Sequence, residues 1–512
     1  MLRNILTIGG WTFASRILGF VRDMLIAAFL GAGPVADAFF LALRLPNMFR
    51  RLFGEGAFNA AFVPAFTAAL TLDGPAKARV LAERMATLMT LWLSLLVVLG
   101  MIFMPQVMAV LTPGLADEPL RFDLVVELSR ITFPYLLFIC LTALVSGVLN
   151  AADKFALAAG APLLFNLCAI VSLFGLTPFV ATPAHALAWG TMASGILQLI
   201  VVVWACNKAG LGFRLLSFPK LSEDTRQVLR RMLPGILGAS VTQLNLAVDM
   251  FIASWLPAGA ISYLNYADRL AQLPLGVVGA AMSTALLPVL SRQLRSGKAL
   301  SAHRSMNRGL ELSLALTLPA AVALIITAQP MLSVLFERGA FTADKVAATA
   351  PALAAYAAGL PAYVLIKSLA PGFFARGDTA TPVKVGIATV AFNLCLNLLL
   401  TPHLQHVGIA LATALSSWAN AGLLAVVLAR RGHWVADRQL RRNSWRLLGA
   451  ALVMGAVLWG LETLIFPATG LWRFLGLGAL VGVGLVSYFG GTLALGAFDL
   501  RELLRRRRRV AA

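Results

Sequence analysis

Apolar runs of about 20 or more residues recur from one end of this chain to the other, separated by short stretches rich in charge, proline or glycine. A run of that length crosses a hydrocarbon layer of about 30 Å as a helix, since a helix pairs its own backbone N–H and C=O groups where no water can. With 59% hydrophobic and only 12% charged residues, the chain falls outside the ordinary soluble classes. The expected fold class is all-α, a polytopic membrane protein of about 14 transmembrane helices. The expected spans lie near residues 5–30, 35–70, 86–111, 124–149, 157–181, 185–207, 230–256, 261–291, 309–335, 346–375, 383–401, 407–429, 446–466 and 471–497. The second is too long for a bilayer at about 1.5 Å per residue, and Pro46 and Pro64 are the expected places for it to bend. The N-terminus resembles a signal peptide only superficially: Arg16, Arg22 and Asp23 break its apolar core, so it reads as a retained first helix.

The net charge of +20 is distributed rather than clustered on a soluble module, which argues against nucleic acid as a partner. About 30 of the 42 Lys and Arg residues fall at the N-terminus, in alternate loops and in the C-terminal tail, notably over 208–231, 292–308, 430–446 and 505–509. The intervening loops hold Arg121, Arg338, Lys345 and Arg473. This asymmetry places both termini and the basic loops in the cytoplasm. Cys140, Cys168, Cys206 and Cys395 lie in apolar segments without metal-ligand spacing and read as packing residues. His403 and His406 read as solvated loop residues.

The chain also repeats itself. Asp23-Met-Leu-Ile-Ala27 returns as Asp249-Met-Phe-Ile-Ala253, Phe165-Asn-Leu-Cys168 returns as Phe392-Asn-Leu-Cys395, and Pro134 answers Pro361 at the same spacing as the latter pair. Two parallel six-helix repeats follow, over 1–226 and 227–445, with two extra helices and a basic tail over 446–512. Substrate is expected between the repeats. The glycines from Gly476 to Gly491 suit close helix packing in the last span.

Several charges stand inside the apolar segments, where each costs at least about 2.5 kcal/mol unless it faces water, protein or a ligand. Arg16, Arg22 and Asp23 interrupt the first; Asp37, Arg44, Arg50, Arg51 and Glu55 interrupt the second; Asp268 and Arg269 stand in the eighth. Arginine keeps its proton and offers a planar fork matched to phosphate oxygens, so the set points to a phosphate-bearing ligand. Internal pairs such as Arg51 with Glu55 or Arg16 with Asp23 account for some members, yet the six arginines outnumber the four acids. Periodicity does not choose between Arg50 and Arg51, which are about 100° apart on a helix. A second, weaker set comprises Asp249, Asn393, Asn397 and Thr413, which offer oxygen ligands to Na⁺ or, in the plainer reading, hydrogen-bond between helices. No other cofactor is expected. A membrane enzyme of polyprenyl phosphates would need clustered carboxylates or an acid/base pair, and the chain has neither D-x-D nor an intramembrane histidine.

Four stretches resemble the MurJ/MviN family of lipid II flippases, within the multidrug/oligosaccharidyl-lipid/polysaccharide exporter superfamily. They are Ser15-Arg-Ile-Leu-Gly-Phe-Val-Arg-Asp23, Asp37-Ala-Phe-Phe40, Leu45-Pro-Asn-Met-Phe-Arg-Arg-Leu-Phe-Gly-Glu-Gly-Ala-Phe58 and Ala267-Asp-Arg-Leu-Ala-Gln-Leu-Pro274. The resemblance implies a non-enzymatic transporter of the bacterial cytoplasmic membrane. It would move lipid II to the periplasmic leaflet, with a central cationic cavity and a polyprenyl groove at the last two helices. It carries substrate binding onto Arg16, Arg22, Arg50 and Arg269 with the acid Asp37, supported by Asp23, Arg44, Arg51, Glu55 and Asp268. A monomer touching the cell-wall synthesis machinery is the expected assembly. Rival readings are a flippase for another polyprenyl-diphosphate-linked glycan, and a multidrug exporter, which would favour acids and aromatics in its cavity.

Overall fold

The computed structural model describes residues 2–53, 57–218, 222–465, 470 and 472–497. Glu55 and the basic tail over 505–509 lie outside them. The helices in chain order are α1 (Leu2–Leu30), α2 (Pro34–Phe53), α3 (Ala57–Ala68), α4 (Pro75–Ile102), α5 (Met104–Leu111), α6 (Pro119–Thr132), α7 (Tyr135–Ala151), α8 (Phe155–Gly175) and α9 (Pro183–Lys208). They continue as α10 (Glu223–Ala253), α11 (Ala260–Arg295), α12 (Ala299–Ile326), α13 (Ala328–Phe336), α14 (Ala343–Phe374), α15 (Ala380–Arg430), α16 (Arg438–Ile465) and α17 (Trp472–Ala494). Their starts follow local chemistry. Pro75, Pro119 and Pro183 open α4, α6 and α9, where a missing N–H costs nothing, and Ser222 caps α10 ahead of Glu223 and Asp224.

Among the described residues, nine segments are long and apolar enough to cross a membrane, one of them the 51-residue α15. The expected spans outside those nine are helical too: α1, α2 with α3, α10 and α11, the helices that carry the charged candidates. The expected bends at Pro46 and Pro64 are not where helices end, for each proline lies inside its helix, α2 and α3 respectively. The expected break between the eleventh and twelfth spans does occur, at Gln405, whose φ of 50° and ψ of −131° interrupt α15.

The chain packs as two units. The first is Met1–Ser262 with Arg338–Phe341, and the second is Tyr263–Glu337 with the described residues from Thr342 onward. In the first unit, Phe58, Phe62 and Phe66 of α3 stack in series and pack with Leu81 and Met85 of α4 and Leu144 and Val148 of α7. Helix α10, at the start of the expected second repeat, packs in this first unit against α3. The turn at 338–341 docks on α1, with the Ala340 N–H donating to Ala28 O at 2.8 Å. Gly339 is required there: its φ is 58° and a Cβ would stand 2.3 Å from that same oxygen.

In the second unit, Leu290 of α11, Met306 and Leu310 of α12, Phe373 of α14 and Leu424 and Leu428 of α15 form one core. A second gathers Ala450, Met454 and Leu458 of α16 with Leu480 and Tyr488 of α17, and the Tyr488 hydroxyl donates to Ala315 O at 2.7 Å. The glycines of α17 do allow close packing on one side, where a Cβ at Gly491 would meet the Ala450 Cβ at 3.3 Å; Gly478, Gly482 and Gly490 have open space beside them.

Helix α16 starts eight residues before its apolar run, because Asp437 caps it by accepting from Leu440 N–H at 2.7 Å. Asp437 also takes Arg308, which pairs with Glu311, which in turn accepts from Asn443. Nearby, Asp378 accepts from the Thr381 hydroxyl at 2.6 Å, the Thr381 N–H at 2.9 Å and Arg431 at 2.6 Å. These donors, Thr381 first, hold its carboxyl down at about 2. A group depressed in the folded state stabilises above its unfolded value near 3.9 and loses that contribution as pH falls toward 2. Thermal midpoints followed from pH 5 to pH 2 should therefore fall less steeply in Asp378→Asn than in the parent, whose curve carries the added titration.

Candidate functional site

The charged candidates of the first unit divide by burial, some deep in the packing and others exposed. Arg22 is 7% exposed in the middle of a knot between α1 and α8. Its Nε and Nη2 donate to Asp23 Oδ1 at 3.0 and 2.6 Å, and its Nη1 donates to Asn166 Oδ1 at 2.8 Å. The Phe165 ring lies 5.1 Å from the guanidinium carbon, and Asn166 Nδ2 donates back to Ser15 O at 2.9 Å. Gly19 leaves room for this exchange, since a Cβ there would stand 3.3 Å from Asn166 Nδ2. The fork of Arg22 is thus held in one orientation, with its charge balanced by Asp23. Arg16, less than two turns away on α1, has an exposed side chain.

On α2, Asp37 is 2% exposed and its oxygens are taken. Oδ2 accepts from Gly259 N–H at 2.6 Å, while Oδ1 accepts from Ser262 N–H at 2.8 Å and from its hydroxyl at 2.6 Å. Gly259 directly precedes α11 and Ser262 lies in its first turn, whose N–H groups have no partner inside the helix, so Asp37 acts as a cap borrowed from another element. Arg121, itself buried, stands 3.5 Å from Asp37 Oδ2 and donates to Glu118 at 2.8 Å. Further along α2, Arg44 is half-buried, Arg50 is half-buried with its Nε donating to Asn47 Oδ1 at 3.2 Å, and Arg51 is exposed.

In the second unit, Arg269 has an exposed side chain, and its neighbour Asp268 accepts from Gln272. Of the weaker set, Asn393 and Asn397 are fully buried one turn apart on α15, with Asn397 Nδ2 donating to Asn393 Oδ1 at 2.8 Å. The Thr413 hydroxyl donates to Ile409 O at 2.9 Å in its own helix, and Asp249 is 8% exposed in α10. No trio of His, Cys, Asp or Glu arranged to hold a metal occurs among the described residues. His406, expected in solvent, is instead half-buried, its Nε2 2.8 Å from Ala348 O and its ring beside Tyr263, because the turn at Gln405 folds it back on α14.

Sequence reasoning missed Asn166, Ser262 and Arg121 as partners. Only Asn166 had a visible signal, as the repeat counterpart of Asn393. Arg121, by sequence a charge of an outer loop, is buried beside Asp37.

Residues 26–476 match the family described as lipid II flippase MurJ. The chain belongs to the MurJ family of lipid II flippases. It is 42% identical to the probable lipid II flippase MurJ of Rhizobium tropici, with 100% of this chain and 98% of that protein covered. It is 37% identical to the lipid II flippase MurJ of Burkholderia cenocepacia, with 90% and 89% covered. A solved lipid II flippase MurJ in an inward closed conformation superposes with a TM-score of 0.80 at 25% identity, over 97% of this chain and 99% of that one. A multidrug resistance MATE family transporter of the MOP superfamily shares the fold at a TM-score of 0.67 and 14% identity, over 81% and 94%. The chain is therefore a multi-pass transporter of the MurJ family, built on the architecture that MOP-superfamily exporters use.

Proposed function

We propose that this MurJ-family protein carries lipid II from the cytoplasmic to the periplasmic leaflet of the bacterial inner membrane by alternating access, without making or breaking a bond. Its head group is received through its diphosphate by arginines, for which Arg16, Arg50 and Arg269 are the candidates. The observation that carries this reading is the contrast in burial along α1: Arg22 is buried and held by Asp23 and Asn166, whereas Arg16, less than two turns away, is exposed. Arg22 and Asp23 then act as the frame that fixes α1, and Arg44, Arg51 and Asp268 as the surrounding charge. Both termini lie in the cytoplasm and the transporter works as a monomer, its basic loops facing the cell-wall synthesis machinery. Na⁺ near Asp249 or the Asn393–Asn397 pair, or the membrane potential at about 2.3 kcal/mol per charge per 100 mV, supplies the bias that resets the cycle.

Reconstitution in sealed vesicles tests the reading. Labelled lipid II should cross, a polyprenyl-linked glycan lacking the diphosphate should not compete, and an inside-negative potential should speed outward movement. Preferential transport of hydrophobic cations would reject it in favour of a drug exporter.

A further inference from the structure

Two of the intervening loops end on the backbone of another helix, and they do so in the same way. After α13 the turn Arg338–Phe341, closed by Phe341 N–H donating to Arg338 O at 3.2 Å, lies on the last turn of α1. Ala28 O, which accepts from the Ala340 N–H, is among the final carbonyls of α1 and needs a partner from outside that helix. After α5 the turn Pro113–Leu115 lies on the end of α10. Gly114 N–H donates to Ser254 Oγ at 3.1 Å, and that hydroxyl donates to Phe251 O, a final carbonyl of α10, at 2.6 Å. A Cβ at Gly114 would stand 2.6 Å from Ser254 C and O, as one at Gly339 would stand 2.3 Å from Ala28 O. Backbone cannot swing aside as a side chain can, so neither seat admits a larger residue without lifting its turn. Leu115 and Phe341, just after the two glycines, are buried.

The two contacts answer one another along the chain. Ser254 follows Ala28 at the spacing that relates Asp23 to Asp249, and Gly339 follows Gly114 at one residue less. Helices α5 and α13 are likewise the short helices that follow α4 and α12. The pairing is crossed, for the turn in each expected repeat holds the first helix of the other. Chance would not set a glycine seat, a final carbonyl and a buried apolar residue at matching positions twice. The turn Arg338–Phe341 packs in the first unit, while Glu337 before it and Thr342 after it belong to the second. Glu337 is tied in turn to Arg473 of α17 at 3.1 Å, and Thr342 leads directly into α14. Movement of α13 and α14 against α1 must therefore break the bond between Ala340 and Ala28.

We propose that the turns at 113–115 and 338–341 are a matched pair of clasps, which hold the ends of α10 and α1 in this conformation and release together in each transport cycle. The inference rests on the alternating-access reading above and names contacts that its change of state must break. Gly114 and Gly339 are positioning residues, acting through α10 and α1 and not on the substrate.

Ala28→Cys combined with Ala340→Cys tests this, in full-length protein whose Cys140, Cys168, Cys206 and Cys395 are replaced by alanine. The hydrogen bond between the two backbones keeps the new thiols close enough for a disulfide or a short bis-thiol linker. In sealed vesicles with labelled lipid II the reduced pair should transport as the cysteine-free parent does. Oxidation should slow it at least tenfold and reductant should restore it, while each single cysteine is indifferent to oxidant. Ser254→Ala, which removes the hydroxyl under the other clasp, should slow cross-linking of the pair at least threefold in protein that still unfolds cooperatively. A role confined to stability would move neither readout. Cross-linked protein that transports at the reduced rate overturns the proposal. So does a pair that neither oxidises nor accepts the linker, since the turn then does not lie on α1, and cross-linking indifferent to Ser254→Ala overturns the joint release. A parent with its native cysteines that moves no lipid II rejects the transport reading and the clasps with it, whereas loss or persistence of transport on oxidation concerns the clasps alone.

Discussion

Arg16→Ala is expected to abolish lipid II transport in sealed vesicles while leaving the amount and thermal stability of the protein unchanged. The side chain is exposed on α1, so truncation opens no buried cavity of the kind that loss of Arg22 would leave. What is lost is the fork offered to the substrate. Charge-assisted hydrogen bonds are worth about 1.5–3 kcal/mol each, and two of them correspond to roughly a hundredfold to ten-thousandfold in binding at 1.4 kcal/mol per decade. Arg16→Lys keeps the charge without the fork and should fall between. Arg508→Ala, in the basic tail, should transport as the parent does. Parent-like flipping by Arg16→Ala would show that the exposed guanidinium does no work on the substrate.

The fold was legible in the sequence because the bilayer leaves the chain so few options. Apolar length fixed the helices α9 and α17 almost to their ends, since each is a run that water would reject and lipid accepts, whereas α4 and α12 begin well before the expected spans at 86 and 309. Ends set by polar chemistry were not legible in that way. The start of α16 at Arg438 depends on Asp437 reaching Leu440 N–H, and the interruption of α15 depends on one residue, Gln405, entering a left-handed conformation. Of the site, composition identified the charged residues but could not tell an exposed arginine from a buried one. Arg16 and Arg22 look alike in the sequence; the difference is Asn166, distant in the chain and brought onto α1 by the packing of α8. Asn393, in the matching tetrapeptide, accepts instead from Asn397 four residues on, where the chain after Asn166 has the apolar Ile170.

Asp37 is the residue where a binding role and a holding role make opposite predictions. The sequence places it with the substrate-binding set, while its carboxylate closes the N-terminal N–H groups of α11 and faces the buried Arg121. Asp37→Ala strands the Gly259 and Ser262 N–H groups and the Ser262 hydroxyl, and leaves Arg121 with only Glu118 of its two acids. Removing one partner of a buried charge pair costs about 3–5 kcal/mol, so a marked drop in thermal midpoint is expected, with faster amide exchange at 259–262. Asp37→Asn keeps the shape and one acceptor and should lose less. Arg121→Met in the Asp37→Ala background should recover part of the loss, because it removes the charge left without its partner; the double-mutant cycle measures that coupling. A residue that only touched substrate would behave in the reverse way, with stability unchanged and transport lost, and Arg121→Met would recover nothing. Stability measured beside transport therefore decides whether Asp37 meets the head group or fixes the start of the helix that carries Arg269.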